Sequence, residues 1–576
     1  MISQEILKQA RGEEKAELVL KNTRIIDVFN ETLYNGDIAI SDGIILGTGD
    51  YEGKKEIDLK GKLVSPAFID GHLHLESSMV RVEEFARHII PLGTTTIVAD
   101  PHEIANVAGL KGIKYLLESG LKLPWNFHLM LPSCVPATEF ESSGAILNAA
   151  DLEKLIDEEG IFGLGEVMNY VGVINGDRSI WEKIELTKEL FRDGHAPGLL
   201  GKDLNTYLLA GIKADHETTT AKEALEKVRK GLYIMIREGS VTRDLVNLLP
   251  AINDSNLSRF LFATDDRHPE DLIDEGHINF LIKKAINNGM EALRAIKLAT
   301  INAARALGFD NLGAIAPGYR ADLLIIDNLS DLNILQVYKD GKLVAENGEL
   351  NLVINKEKDA NRSEYNKIYD SVKIGSLNKR DFILPGGKNY KVIGLNNNSI
   401  ITKKLSLNLA EDEDLNNELM IDKDLAKIAV VERHKKTGNT GLALIKGTGL
   451  KKGAVATSVG HDSHNILVIG LNEADMYKAV KEIERLKGGI VLVKDGAVSA
   501  RLALAIAGLI SDKSLKEVSD DLKELKKKSR ELGISLKNPF MTLAFMALPV
   551  IPSLKITDKG LFDVEEFKHV SVLNNF

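Results

Sequence analysis

The chain has 576 residues, 44% of them hydrophobic, a formal net charge of −10 and a single cysteine. That length implies more than one domain, since about 100–250 residues per domain is usual. The acidic balance argues against a nucleic-acid-binding face and gives no reason to expect membrane attachment, and Cys134 alone rules out a disulfide framework or a cysteine-rich zinc site.

Met1 to Glu17 is polar and charged, unlike a secretory signal, and the longest apolar runs, Leu502–Ile510 and Leu543–Ile551, fall well short of the ~20 residues that span a bilayer. The expectation is a protein of the reducing cytoplasm. The first sixty residues alternate in short β-type runs, Ala16–Leu20, Thr23–Val28, Asp37–Ile40 and Ile44–Gly47, with Asn35-Gly36 and Asp42-Gly43 as tight hairpin turns. The same texture returns in Ala321–Asp327 and Ile334–Val337, followed by a turn at Lys339-Asp340-Gly341-Lys342.

Between these flanks, apolar strand-like runs alternate with helical stretches about every 25–30 residues, the rhythm of a parallel βα barrel. Eight strand ends can be placed: at His72/His74, Asp100-Pro101-His102-Glu103, Pro132–Pro136, Gly165-Glu166, Gly194-His195, Asp215-His216, Glu238-Gly239 and Thr264-Asp265-Asp266. The fifth is the poorest by composition, because Phe191–Asp193 hardly reads as a strand. Ala292–Leu307 reads as the closing helix. Asn355–Lys379 is polar and charge-rich and reads as a solvated linker, beyond which a further αβ region contains helices near Asp475–Leu486 and Lys513–Leu532. The pattern predicts a barrel over 67–310 inserted in a β domain built from 1–66 and 311–378, with a C-terminal α+β domain over 380–576.

The segment Ser65–His74 ends in histidines at i and i+2, which share one face of a strand and can share a metal ion. Glu166, His195, His216 and Asp265 follow at later strand ends. Singly, each has an ordinary alternative: His195 a loop histidine, His216 a residue near a helix cap, Asp265 an N-cap. Glu166 is harder to dismiss, because a charged residue closing an apolar strand needs a partner. Together, four imidazoles and two carboxylates suit divalent Mn, Fe or Zn, and they exceed the three protein ligands one catalytic ion needs. Two ions sharing a bridging carboxylate use all six.

The order HxH, strand-four carboxylate, His, His, Asp resembles the amidohydrolase superfamily. The words Asp-Gly-His-Leu-His-Leu-Glu-Ser-Ser-Met at 70–79, Asp-Pro-His-Glu-Ile-Ala-Asn-Val at 100–107, Gly-Glu-Val-Met-Asn at 165–169, Asp-Gly-His-Ala-Pro-Gly at 193–198, Asp-His-Glu at 215–217 and Gly-His-Asp-Ser-His-Asn at 460–465 resemble the adenine deaminase family across essentially the whole chain. The resemblance implies a distorted (β/α)8 TIM barrel in a composite β-sandwich domain and hydrolysis of adenine to hypoxanthine and ammonia, in purine salvage. Where dihydroorotases and hydantoinases use a carboxylated lysine, Glu166 supplies the bridging carboxylate unmodified. The cytidine-type zinc deaminase signature is absent.

The mechanism so implied has a metal-generated hydroxide attack C6 while a base and an acid move protons. Asp265 is the expected shuttling base. Glu103 and Glu76 compete as the acid at N1, and either can instead be a helix first-turn carboxylate. His102, His461 and His464 are expected near the substrate, the last two on a loop leaning over the barrel mouth without ligating metal. Mn or Fe is favoured, Zn being the alternative, and a homodimer is expected. Two other readings compete: another binuclear amidohydrolase acting on a cyclic amide or aminated heterocycle, and a non-catalytic scaffold.

Overall fold

The computed structural model describes residues 2–351, 365–396 and 399–574. Residues 355–364 of the expected linker lie outside these. The centre is a sheet of eight parallel strands, each hydrogen-bonded to the next in chain order. They are β1 (Phe68–Leu73), β2 (Thr94–Ala99), β3 (Asn126–Leu131), β4 (Ile161–Val167), β5 (Phe191–Gly194), β6 (Ala214–Asp215), β7 (Tyr233–Arg237) and β8 (Phe260–Ala263). The sheet closes where Asp265 N donates to His72 O at 3.0 Å and His74 N to Asp265 O at 3.4 Å, so the first and last strands meet at their C-terminal ends. The result is a (β/α)8 barrel, a fold that places chemistry at that end of its strands. The strand of weakest sequence pattern, β5, is also short at four residues, and β6 has only two.

Strands from both flanks of the barrel share one nine-stranded sheet, with Leu63–Pro66 paired between Ala16–Asp27 and Leu323–Ile326. Two expectations about the first flank need correction. Ala16–Leu20 and Thr23–Val28 form one strand, Ala16–Asp27, with a register shift between Leu20 and Thr23 where Asn22 takes φ 54°. Asn35-Gly36 is not a turn: both residues pair within Thr32–Ser41, opposite Arg24 and Thr23, because the long partner strand offers ladder hydrogen bonds that a local turn would forfeit. Asp42-Gly43 does turn, with φ 51° and 74°, as does Asp340-Gly341 with φ 49° and 72°. Positive φ at both central residues is the geometry that matches strand twist.

The closing helix is also two helices, Ala292–Leu298 and Ile301–Leu307, because Thr300 leaves helical backbone (φ −130°, ψ −100°) and bonds its hydroxyl back to Ile296 O at 2.7 Å. Beyond the barrel, an eight-stranded sheet carries the helices Glu473–Leu486 and Leu515–Glu531. A capping box between Ser514 and Glu517 starts the latter helix. The described part of the expected solvated linker is partly buried, with Ile368 and Val372 in the core, which corrects a reading that rested on composition alone.

This C-terminal unit packs onto the barrel mouth. Ser511 N donates to Met79 O at 2.8 Å, Ser142 N to Asp558 at 2.9 Å and Asn465 Nδ2 to Ser142 O at 2.7 Å. Among the described residues no helix is long and apolar enough to cross a membrane.

Candidate functional site

The alternation of β1 turns His72 and His74 to one side, where their Nε2 atoms stand 3.2 Å apart. His72 Nδ1 lies 2.8 Å from the buried Asp193 carboxylate, and His74 Nδ1 lies 3.1 Å from Asp100 O. Both of those partners only accept, so each Nδ1 carries the proton and Nε2 is the atom each ring has left to ligate. Two ligand nitrogens facing one another at that distance are placed to share a cation. This donor set therefore fits a metal ion, and the acceptors behind the rings are the supports that fix ligand tautomers in metal sites.

Glu166, at the end of β4, sends its two oxygens to different partners. Oε1 is 3.4 Å from His74 Nε2 and 3.2 Å from His102 Nδ1, whereas Oε2 is 3.2 Å from His216 Nε2 and bonds His195 Nδ1. Its amide donates to Asp100 Oδ2 at 2.9 Å. Gly165 makes this possible, since a Cβ there would stand 2.0 Å from the same Asp100 oxygen. Burial pushes the Glu166 carboxyl up, but His195 and His102 outweigh it and hold it well below the usual range.

Asp265 follows β8 in the left-handed region at φ 56°, a conformation that aspartate tolerates better than most residues. Its Oδ1 is 3.3 Å from His74 Nε2 and 3.9 Å from His72 Nε2, and its Oδ2 is 3.3 Å from the Arg237 guanidinium. Burial opposes its charge, yet His74 and Arg237 keep it ionised. Candidate ligand groups therefore overlap, among them His72 with Asp193 and His216, His72 with His74 and Glu166, Glu166 with His195 and His216, His74 with Asp265 and Asp266, and Asp100 with His102 and Glu166. The carboxylate common to three of these five is Glu166.

Glu103 opens the helix His102–Ala108 and is bonded from the C-terminal unit by His461 Nδ1 at 2.7 Å and by His464 Nε2. Gly460 N donates to His464 Nδ1 at 3.2 Å, so that ring is neutral and donates from Nε2. Burial lowers the pKa of His464 to about 4. Burial also works against charge on His461, but Glu103 prevails and raises it to about 9. Glu76, in the short turn Leu75–Ser78, accepts from Ile104 N at 2.9 Å through Oε1, and burial lifts its carboxyl to about 7.

The structure thus gathers His72, His74, Glu166, His195, His216, Asp265, His102, Glu103, His461 and His464 into one largely buried cluster, with Glu76 bonded to the first turn of the Glu103 helix. Sequence reasoning passes over Asp193, Asp100 and Arg237. Asp193 and Asp100 stand in the quoted motifs, and a buried aspartate beside a ligand histidine is the signal. Arg237 closes an apolar strand as Glu166 does, but placing the strand end at Glu238-Gly239 hides it.

Comparisons with known proteins agree on one family. A family model for the amidohydrolase family matches residues 63–344, and one for the adenine deaminase C-terminal domain matches 399–568. An adenine deaminase of Petrotoga mobilis is 58% identical over 575 residues, covering 100% of both chains. "Adenine deaminase 2" of Carboxydothermus hydrogenoformans is 47% identical over 99% of each chain, and an adenine deaminase of Clostridium acetobutylicum is 45% identical over 98% of this chain and 99% of its own.

Proposed function

The chain belongs to the adenine deaminase family, and from that premise we propose that it hydrolyses adenine to hypoxanthine and ammonia at the chamber between barrel and C-terminal unit, using two divalent ions. The observation that carries the metal reading is the divided allegiance of Glu166, whose two oxygens serve two separate histidine sets. His72, His74 and Asp265 would hold one ion, His195 and His216 the other, and Glu166 both. Mn or Fe is the proposed occupant, because imidazole and carboxylate without thiolate suit those ions; Zn is the alternative. When bound, such ions supply hydroxide at neutral pH by lowering the pKa of water from 15.7 toward about 7.

The chain's own groups handle the protons. Asp265 Oδ1 faces the histidine pair while Arg237 fixes Oδ2, so the same carboxylate that would hold the ion is placed to take a proton from the nucleophile and pass it to the departing amine. Burial pushes the Glu103 carboxyl up, but His461 and His464 hold it well below the usual range. As the proposed donor to ring N1 it would therefore relay the proton that His461 Nδ1 holds against it, with His464 holding the second oxygen in place. Glu76 is the less favoured donor, because no described histidine bonds it to relay a proton and its Oε1 is tied to Ile104 N. The low exposure of the chamber excludes bulk water and strengthens each of these interactions. A place in purine salvage in the cytoplasm follows from the reaction proposed. The test is stoichiometric formation of hypoxanthine and ammonia from adenine by metal-reconstituted protein; no conversion under those conditions would overturn the reading.

A further inference from the structure

The loop His461–Asn465 is pinned almost everywhere. Arg433 grips His464 O, His434 Nε2 bonds Ser463 O at 2.7 Å, Asn465 Nδ2 donates to Ser142 O at 2.7 Å, and both loop histidines bond Glu103. Asp462 is the exception. It is 4% exposed, yet its carboxylate accepts no hydrogen bond from any described residue, the nearest cation being its neighbour His461 at 3.8 Å. It directly follows His461, whose Nδ1 is 2.7 Å from Glu103, and so lies on the C-terminal unit's side of the site, within electrostatic range of His102, Glu103 and Glu166. Glu141 of the barrel lies close by at 6% exposure, with Oε1 unpartnered, as is His461 Nε2.

Leaving several buried polar atoms unpaired costs about 1–3 kcal/mol each, so a group that satisfies them is expected. A carboxylate can satisfy only a donor. Resting on the adenine reading above, the substrate offers two kinds of N–H: the exocyclic amine at the reacting carbon, which belongs beside Glu166 and Asp265, and the N–H of the five-membered ring. We propose that Asp462 is a specificity residue that accepts the ring N–H of the free purine base, so that a substituent on N9 both removes the donor and collides with the acceptor. The C-terminal unit would then supply base-over-nucleoside discrimination as well as closure.

The experiment compares adenine with its N9-methylated derivative in the metal-loaded wild type, Asp462→Ala and the isosteric Asp462→Asn. For adenine it reads kcat/KM, and for the methylated base it reads kcat/KM or, where turnover is absent, Ki. Loss of one hydrogen bond to a charged group predicts that adenine kcat/KM falls about 10- to 100-fold in Asp462→Ala, chiefly through KM. The value for the methylated base should move less than about threefold on the same scale, collapsing the discrimination. Equal losses for both compounds, or unchanged adenine kinetics, would overturn the proposal. The asparagine variant keeps a neutral acceptor oxygen and should lose less than alanine; should the alanine variant fail to fold, Asp462→Leu, which fills the space without an acceptor, carries the same comparison. Wild-type turnover of adenine tests the underlying reading separately, because it does not depend on the ratio between compounds.

Discussion

His461 Nδ1, on a loop of the C-terminal unit, sits 2.7 Å from Oε1 of Glu103, at the start of a barrel helix 358 residues earlier in the chain. The site is therefore assembled from two units, and the barrel alone lacks the histidines that hold Glu103, the proposed proton donor. Replacing His461 and His464 together by alanine is expected to lower kcat/KM for adenine by about 10²–10⁴-fold, the usual worth of a proton transfer. Bound metal should stay at the wild-type level. Plasma emission analysis beside steady-state kinetics checks both, and loss of metal in the double variant would show that the loop acts on the ligands instead.

Glu166→Gln should cost both ions, since an amide cannot offer a charged oxygen to each histidine set. The measurement is metal per chain after dialysis, with turnover recorded alongside. Two ions per chain at normal turnover would rule Glu166 out as the bridge.

Asp193 is 2.8 Å from His72 Nδ1 and 3.6 Å from His216 Nδ1, and the two rings stack at 3.8 Å. Asp193→Asn removes the charged acceptor that fixes the His72 tautomer and lies beside His216 Nδ1. Metal affinity should fall about 10–100-fold, as it does for supports of ligand histidines generally. Competition with a chelator of known affinity reads this directly, and an unchanged affinity would reduce Asp193 to packing.

Lys227 is fully buried with its Nζ 2.8 Å from Asp215 and 2.7 Å from Glu223, behind the strand end that presents His216. Burial raises the Asp215 carboxyl, but Lys227 prevails and brings it to about 2. A carboxylate depressed below its unfolded value of about 3.9 stabilises fully above that pH, and the contribution is lost as pH falls through the folded value. Lys227→Met should therefore lower stability by about 3–5 kcal/mol at pH 7, by stranding a buried charge. The gap to wild type should narrow between about pH 4 and 2. Thermal melting midpoints across that range check it; equal midpoints at pH 7 would contradict it.

Substrate choice gives a further check. Adenine should be hydrolysed far better than adenosine by the metal-loaded protein, because the chamber is closed from above by the His461–Asn465 loop. Comparable kcat/KM for the two would contradict a base-specific pocket.

What is legible in the sequence depends on whether the controlling contacts are local. His72 and His74 are legible because strand alternation is a local rule. Glu166 is legible because an ionised group ending an apolar strand demands a partner. The partners themselves are not, since Asp100 and Arg237 act between neighbouring strands and Asp193 of β5 reaches His72 of β1 across the barrel, relations visible only once the sheet has closed. Asn35-Gly36 misleads for the same reason: its local turn preference is overridden by pairing with Thr23 and Arg24. The helix over 292–307 looks continuous because Ala and Leu dominate it, while its break is set by one threonine turning its hydroxyl inward.

The central claim, a two-metal centre that hydrolyses adenine, is tested most directly by a metal titration. Chelated protein is supplied with Mn²⁺, Fe²⁺ or Zn²⁺ in steps, and ammonia release from adenine is followed at each step. The account predicts no activity without metal and a rise that levels at two equivalents per chain. Full activity in metal-free protein, or a plateau at one equivalent, would contradict it.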